Sequence, residues 1–221
     1  MLGKCDLSGS AYIGIFCACN NEVALIPDDA PVKFERMVGK YLGVETVHTN
    51  VGGGRVIGAL VTMNSRGIII TNIMIPEETK RLKAKLGGKF AIAEIDTRIN
   101  AFGNTILAND NGAVVHPDYG NDVVKIIKDT LGVEVVKGRI ADMDIVGSCG
   151  IANSKGVLLH PKSTQSERKM VSETLGVRVS ISTANCGCPH LRSCVLVNDK
   201  GALVGSRSTT VEIDRIFDVL C

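Results

Sequence analysis

The sequence predicts an α/β fold of five repeats, arranged as a closed propeller around one axis. The first observation is an Asn followed three residues later by a Gly, which recurs at steps of 44 or 45 residues; the copies are Asn64/Gly67, Asn109/Gly112, Asn153/Gly156 and Asn198/Gly201. The second is an upstream glycine with the same steps, found at Gly14, Gly58, Gly103 and Gly147. The third is a Leu-Gly pair that begins at Leu42, Leu86, Leu131 and Leu175. Three registers that agree along the chain indicate internal duplication.

Each repeat predicts the same order of elements: strand, hairpin, strand, helix, strand. In the third copy the apolar stretch 105–108 leads into the turn 109–112, and a second apolar stretch, 113–115, follows. Asn and Asp accept local hydrogen bonds in such turns, and the turn glycine is predicted to be left-handed. Apolar residues at helical spacing come next, ending at Leu131, and Gly132 is predicted to end the helix. Residues 133–136 form the last strand of the unit.

The two ends of the chain predict how the ring closes. The fifth repeat ends in its helix at Cys221, so its last strand is missing from the C-terminus. The segment 4–7 precedes Gly14 much as those final strands precede the later glycines. We therefore expect the N-terminal strand to complete the last blade, which leaves no long unpaired edge strand.

Composition predicts one domain over residues 1–221. The chain is 45% hydrophobic but only 4% aromatic and has no Trp, which is typical of a core of Val, Ile, Leu and Ala. No apolar stretch is long enough to span a bilayer, and no secretory signal is evident, so we expect a cytoplasmic protein with reduced cysteines. The net charge of +2 argues against a DNA-binding protein. The predicted helix of the second repeat carries Lys80, Arg81, Lys83, Lys85 and Lys89. We interpret these residues as a solvated face with at most a minor RNA contact.

One cysteine-rich segment raises the alternative of a structural metal. Cys186, Cys188, His190 and Cys194 offer four soft ligands within nine residues. Structural zinc sites usually bring a second ligand pair from a distant segment, and none is evident here. We therefore predict no metal and no cofactor, and interpret the segment as a loop with incidental thiols.

Several motifs, together with the fivefold repeat, resemble the translation initiation factor 6 family. They are Asn50-Val51-Gly52-Gly53, Ala101-Phe102-Gly103-Asn104-Thr105, Val146-Gly147-Ser148, His160-Pro161 and Thr183-Ala184-Asn185. The resemblance is colinear over essentially the whole chain and implies the pentein fold. It also implies a factor that binds the intersubunit face of the large ribosomal subunit, near ribosomal protein uL14 and the sarcin-ricin loop, blocks small-subunit joining and takes part in large-subunit biogenesis. The absence of an extension beyond Cys221 resembles the archaeal form, and we expect a monomer.

The resemblance and the repeat symmetry together select candidate ribosome-binding residues. Asn104 follows its repeat glycine, whereas the equivalent positions hold Ile15, Ala59 and Ser148. A polar residue that breaks the symmetry is a candidate for a specific hydrogen bond to a partner. Arg55, Asn64 and Arg66 on the neighbouring repeat are further candidates.

The alternative function is enzymatic, because penteins also include enzymes that modify guanidino groups with a Cys nucleophile, a His and paired carboxylates in the axial channel. Such a thiolate needs a nearby base or cation to lower its pKa. This chain offers Cys149, His116, His160 and Asp144. However, His116-Pro117 and His160-Pro161 occupy equivalent repeat positions, which favours an architectural role with Pro in the first helical turn. We therefore predict no catalytic residues.

Overall fold

The computed structural model describes residues 1–221 and contains nine helices and fifteen strands. The strands are β1 (Leu2–Cys5), β2 (Ala18–Cys19), β3 (Val23–Pro27), β4 (Glu45–Thr49), β5 (Thr62–Met63), β6 (Gly67–Thr71), β7 (Ala91–Ile95), β8 (Ile106–Ala108), β9 (Gly112–Val115), β10 (Glu134–Lys137), β11 (Gly150–Ala152), β12 (Gly156–Leu159), β13 (Arg178–Ile181), β14 (Val195–Val197) and β15 (Ala202–Gly205). Five helices have 11 residues: α2 (Val32–Leu42), α4 (Pro76–Leu86), α6 (Asn121–Leu131), α7 (Gln165–Leu175) and α9 (Thr210–Leu220). Four have 4 residues: α1 (Ile13–Phe16), α3 (Ile57–Leu60), α5 (Phe102–Thr105) and α8 (Leu191–Cys194).

The strands form five separate three-stranded sheets of one design, as the repeats predict. In each sheet a short inner strand pairs antiparallel with the middle strand, and the middle strand pairs parallel with the outer one. In the third sheet Leu107 pairs with Val114, and Val114 pairs with Val136. The inner strands contact one another in a complete cycle, β2 to β5 to β8 to β11 to β14 and back to β2. The five sheets therefore surround one axis, and the predicted fivefold α/β propeller is confirmed.

The hydrophobic core is divided into five clusters, and each lies between two neighbouring sheets. One cluster joins Leu25 of the first sheet to Ile70 of the second and to Leu82 of α4. The other long helices cover the remaining gaps in the same way, because their apolar residues recur on one face. Every cluster combines residues of two neighbouring repeats, so no repeat buries its apolar surface alone.

The N-terminal strand closes the ring, as predicted. β1 pairs parallel with β15, with Leu2 opposite Ala202 and Cys5 opposite Gly205. Leu7, just beyond this strand, is 1% exposed in the cluster between the fifth and first sheets. The two chain ends are thus joined by hydrogen bonds and by apolar packing.

Two predictions about local structure were wrong. The turn glycines are not left-handed; they are needed for space, because a Cβ on Gly112 would lie 1.9 Å from the carbonyl oxygen of Thr174. Pro117 and Pro161 lie four residues before their helices, which begin at Asn121 and Gln165, and not in the first turn. By contrast, the glycine that ends α6 was predicted correctly: Gly132 has φ 64°.

The inner strands separate two faces of the ring. Each upstream repeat glycine except Gly147 lies in a four-residue helix at one end of an inner strand, and the Asn turn lies at the other end. We call these ends the short-helix face, which also carries the N-termini of the long helices, and the turn face, which carries their C-termini. The sequence pattern did not predict the short helices, because one helical turn is too short to show a period. None of the nine helices is long and apolar enough to cross a membrane.

Candidate functional site

A ring of five asparagines surrounds the axis at the turn face. It consists of Asn20, Asn64, Asn109, Asn153 and Asn198, and each is at most 5% exposed. The Nδ2 atom of each donates to the backbone oxygen of the next, over 2.8 to 3.3 Å, and the cycle is complete. Each Oδ1 accepts from the backbone N–H groups two and three residues later, as Asn109 does from Asn111 and Gly112. The Asn-x-x-Gly repeat therefore encodes a hydrogen-bonded ring that ties neighbouring blades together.

The sequence pattern missed the first member of this ring. Asn20 is followed three residues later by Val23, not Gly, yet its Oδ1 accepts from Val23 N at 2.8 Å. Four of the asparagines also donate to the last carbonyls of the long helices, as Asn109 does to Leu175 at 2.9 Å, whereas Asn20 makes no such bond. The spacing of 44 residues between Asn20 and Asn64 was the signal that could have identified it.

Polar side chains close the mouth of the axis outside the asparagine ring. Asn21 Nδ2 donates to Asp199 at 2.8 Å, and Ser65 Oγ donates to Asp110 at 2.7 Å. Burial would raise the pKa of Asp199, but hydrogen bonds from Ser154 and Asn21 outweigh it and lower that pKa. The pit that these residues line has a volume of about 40 Å³, which holds a few water molecules and not a metabolite. The opening of the axis at the turn face is therefore too small for a metabolite.

Asn64 and Arg66 lie on the turn face and are occupied within the protein. Asn64 is 3% exposed, and its amide bonds Asn109 O, Leu131 O and the N–H of Gly67. Arg66 is exposed, but its Nη1 donates to Gly132 O at 2.9 Å, at the C-terminus of α6. Equivalent residues repeat this cap, since Lys155 donates to Cys221 O and Lys200 to Gly43 O. Cations at helix C-termini complement the helix dipole, so these two residues hold the ring together.

Asn104 and Arg55 lie on the opposite, short-helix face. Asn104 is partly exposed, and its Oδ1 accepts from Ser148 Oγ at 3.0 Å. Its Nδ2 atom makes no hydrogen bond within the chain, so this donor is free for a partner. Arg55 pairs with Asp29 at 3.0 Å and lies over the ring of Phe16, with its side chain 37% exposed. The four predicted binding residues are therefore divided between two faces and cannot form one contact surface.

The short-helix face is also the more apolar of the two. Ten large hydrophobic residues of the chain are exposed, and six of them lie where helices begin or in the loops beside them: Val32, Val56, Ile73, Ile75, Ile145 and Val211. Val211 is 78% exposed and Val32 is 61% exposed. Single exposed apolar residues need no explanation, but their concentration on one face is typical of a surface that binds another macromolecule.

Glutamates at the starts of α4 and α9 bind the loops of this face. The carboxylate of Glu78 accepts from Gly52 N at 2.7 Å and from Gly53 N at 2.8 Å. Both glycines have positive φ, so their N–H groups converge in a concave anion-binding turn. Glu212 binds Cys186 N and Gly187 N in the same way. The carboxylate of Glu78 therefore occupies the anion-binding turn in the glycine-rich run 52–54.

The residues of the enzymatic alternative do not form an activated thiol site. Cys149 is fully buried, and burial raises the pKa of its thiol to about 12, away from the thiolate that a nucleophile requires. No imidazole is hydrogen-bonded to its sulfur. The ring nitrogens of His116 and His160 instead accept from the N–H groups two residues later, at 3.1 Å in both cases. Asp144 pairs with Arg139 at 2.6 Å. Both histidines thus stabilise equivalent turns.

The cysteine-rich loop has no converging set of metal ligands. The sulfur atoms of Cys188 and Cys194 both point to the carbonyl oxygen of His190, at 3.9 and 3.8 Å, and Cys186 is exposed. Burial raises the pKa of the Cys194 thiol. The backbone of the loop is held by Glu212, which accounts for its shape without a metal.

The amino-acid sequence is similar to those of known proteins over nearly the whole chain. Residues 2–219 match the eIF-6 family. Translation initiation factor 6 of Natronomonas pharaonis is 42% identical over 98% of this chain and 97% of its own length. The protein of the same name from Saccharolobus solfataricus is 38% identical over 99% of this chain and 98% of its own.

A solved structure shares the fold alone. It is that of ArgZ, an arginine dihydrolase from the cyanobacterial ornithine-ammonia cycle, with a TM-score of 0.51 and 16% identity; the match covers 76% of this chain and 29% of that one. The family match spans nearly the whole chain, and the relatives align over their full length. The chain therefore belongs to the eIF-6 family.

Proposed function

We propose that this protein is a translation initiation factor that binds the large ribosomal subunit at its intersubunit face and prevents association with the small subunit. We extend the proposal to a role in large-subunit biogenesis and to action in the cytoplasm as a monomer without a cofactor. Family membership and the shared name of its relatives support the initiation role. The narrow opening of the axis and the unactivated Cys149 thiol fit a factor that acts by occupying space.

The observation that carries the proposal is the free Nδ2 donor of Asn104, presented on the face with the most exposed apolar surface. Interfaces combine apolar contact with a few specific hydrogen bonds, and both are available here. At the turn face, by contrast, the polar groups around the axis are bonded to one another, and fewer of the exposed apolar residues lie there. We therefore place the ribosome contact on the short-helix face and assign no direct contact to Asn64 or Arg66.

Two further features of this face suit a ribosomal partner. Arg55 lies next to the exposed Val56, and its partner Asp29 is at the surface, with 63% of that side chain exposed. α4 begins on the same face and presents Lys80 and Lys83 to solvent without ion pairs, whereas Arg81 is paired with Asp28 and Lys89 lies beyond the C-terminus of the helix. We propose a protein contact, to ribosomal protein uL14 near the sarcin-ricin loop, with a minor rRNA contact from α4.

The experiment compares two single substitutions that separate the two hydrogen-bonding atoms of Asn104. Asn104→Ser removes the free Nδ2 donor. Ser148→Ala removes the internal bond to Oδ1 but leaves the Nδ2 donor in place. Loss of one interfacial hydrogen bond costs about 1–2 kcal/mol, so Asn104→Ser should bind large subunits roughly tenfold more weakly and restore subunit joining. Ser148→Ala should bind like the wild type.

The measurements are co-sedimentation with purified large and small subunits, subunit joining, and thermal melting on the same preparations. Melting of Asn104→Ser should match that of the wild type, which excludes misfolding. If both substitutions weaken large-subunit binding equally, binding depends on the internal hydrogen bond between Ser148 and Asn104 and not on a contact from Nδ2. Wild-type protein that sediments only as free factor would refute the proposed function.

A further inference from the structure

Arg192 occupies the place in the fifth repeat where four other repeats have glycine. It lies 45 residues after Gly147, in register with Gly14, Gly58 and Gly103. These glycines stack closely around the axis: a Cβ on Gly103 would lie 2.0 Å from the oxygen of Gly58, and one on Gly14 would lie 1.8 Å from the oxygen of Arg192 itself. The fifth repeat therefore places a long cationic side chain where the others place none.

The side chain of Arg192 crosses the axis. It starts on the fifth blade, and its Nε donates to Gly58 O at 3.2 Å while its Nη2 donates to Val61 O at 3.0 Å. Gly58 and Val61 belong to the second blade, which is not a neighbour of the fifth. A guanidinium has five N–H groups, and these two bonds use two of them. Both N–H groups of Nη1 and one of Nη2 have no partner in the protein.

Arg192 lines a small cavity on the axis, beneath the asparagine ring, which we call the axial cavity. Its volume is about 50 Å³. The other lining residues are glycine, alanine, cysteine and larger apolar residues: Gly14, Cys17, Ala18, Cys19, Met63, Leu107, Ala108, Ile151, Ala152, Val195, Leu196 and Val197. The space accommodates an ion of one atom or a few water molecules, and excludes a nucleotide or an arginine substrate.

No anionic group of the protein neutralises Arg192. The cavity lining contains no Asp or Glu, and Arg192 forms no salt bridge. Asp110 and Asp199 lie on the far side of the asparagine ring, at the turn-face mouth. Burial lowers the pKa of Arg192 to about 10, so the side chain is still protonated at pH 7. Cys17 and Cys19 also line the cavity; burial raises the pKa of both thiols, that of Cys19 to about 12, so both are neutral.

Arg192 is half-buried, and no counter-charge lies beside its guanidinium, so the apolar wall of the cavity screens this charge poorly and leaves it able to attract an anion. We propose that the axial cavity binds one small monovalent anion, such as chloride, against the free N–H groups of Arg192. The anion neutralises the guanidinium, fills the cavity and strengthens the link between the second and fifth blades. No other repeat can form this site, since each of the others has glycine at the equivalent position.

The direct test is crystallography of the wild-type protein grown in sodium bromide. Bromide replaces chloride and gives an anomalous signal, so a peak is expected within about 3.5 Å of Arg192 Nη1, the reach of an N–H donor to a halide. Density that refines as water alone, without an anomalous peak, would refute the site.

The solution test measures melting temperature against sodium chloride, with sodium gluconate keeping the ionic strength constant. A ligand that binds only the folded state raises the melting temperature as its concentration increases. The wild type should show a chloride-dependent rise that saturates. Arg192→Gln removes the charge but keeps a shorter hydrogen-bonding side chain, and should raise the half-saturating chloride concentration by about tenfold or more. Arg192→Gly, the residue of the other repeats, should abolish the dependence.

A surface cation serves as the control for general anion effects. Lys169 lies on α7 with its side chain 76% exposed, so Lys169→Gln should retain the wild-type chloride dependence. The same chloride dependence in Arg192→Gln, Arg192→Gly and wild type would overturn the proposal. Because Arg192→Gly restores the residue of the symmetric positions, it provides a folded variant even if Gln cannot be accommodated.

Discussion

The carboxylate of Glu212 should make an unusually large contribution to stability above pH 4.5. It is 7% exposed at the start of α9 and accepts hydrogen bonds from Thr183 Oγ1 at 2.7 Å and from Thr209 N, Gly187 N and Cys186 N at 2.8 to 3.1 Å. Burial alone would raise the pKa of this carboxyl, but the hydrogen bonds outweigh it and lower the pKa from 4.5 to about 2. Glu212 therefore joins the cysteine-rich loop to the last helix as an anion.

The direction of the pH effect follows from the depressed pKa. The unfolded chain binds a proton at a higher pH than the folded one, so stability is lost as pH falls from 4.5 towards 2. At 1.36 kcal/mol per pH unit, the full contribution at pH 7 is about 3 kcal/mol. The same linkage relation leaves about 1.5 kcal/mol at pH 3. Glu212→Gln should thus unfold about 3 kcal/mol more easily at pH 7, with a difference that shrinks in acid.

The assay is urea unfolding at pH 7, 5, 4 and 3, followed by circular dichroism because the chain has no Trp. Glu173→Gln is the matched control: Glu173 lies on the surface of α7 with its side chain 68% exposed, 3.8 Å from Lys169. Exposed pairs of this kind contribute little, so this control should track the wild type at every pH. A difference between wild type and Glu212→Gln that stays constant from pH 7 to pH 3 would refute the reasoning.

Two further predictions concern the contacts that hold the five blades together. Deletion of residues 1–8 removes β1 and Leu7 and exposes one edge of β15, so the protein should aggregate or melt far below the wild type in calorimetry; unchanged melting would contradict the closed architecture. Asn153→Ala leaves the partners of two donated and two accepted hydrogen bonds unsatisfied in the asparagine ring, and should lower the unfolding free energy in urea by about 3 kcal/mol. Asn111→Ala removes one exposed cap to Leu175 and should cost less than half as much, whereas equal losses would show that the ring is not the main link.

The architecture was predictable because the repeat is encoded by steric and hydrogen-bonding needs that recur in every copy. The turn Asn bonds the amides that follow it in all five copies, and in four of them the glycine three residues later allows close approach of a carbonyl oxygen, whereas the first copy has Val23. Such needs leave few alternatives, so the residues persist at steps of 44 or 45. The predicted reason for the turn glycine was wrong. Glycine is needed because a carbonyl oxygen of the next repeat's helix lies too close for a Cβ atom, and not because the backbone is left-handed.

The candidate site was only partly predictable. Its break in symmetry selects Asn104 as a candidate, and the structure places this residue on the short-helix face with no partner for its Nδ2 atom; its contact with the ribosome stays a prediction. Asn64 and Asn104 both looked like polar candidates, yet one is buried in the asparagine ring and the other is partly exposed at the opposite end of the axis. Arg192 lies 45 residues after Gly147 and could have been found by that spacing. The Asn-Gly repeat does not include this position.

The sequence alone determined the number of repeats, the order of the strands and the long helix in each, and the closure by the N-terminal strand, because periodic spacing reflects contacts that every copy makes with its neighbour. Only the tertiary structure decided which polar groups remain free. Hydrogen bonds between residues 44 to 178 positions apart complete the asparagine ring, and the bonds of Arg192 span 131 to 134 positions. Whether a donor is occupied depends on such distant partners, and no local pattern in the chain records them.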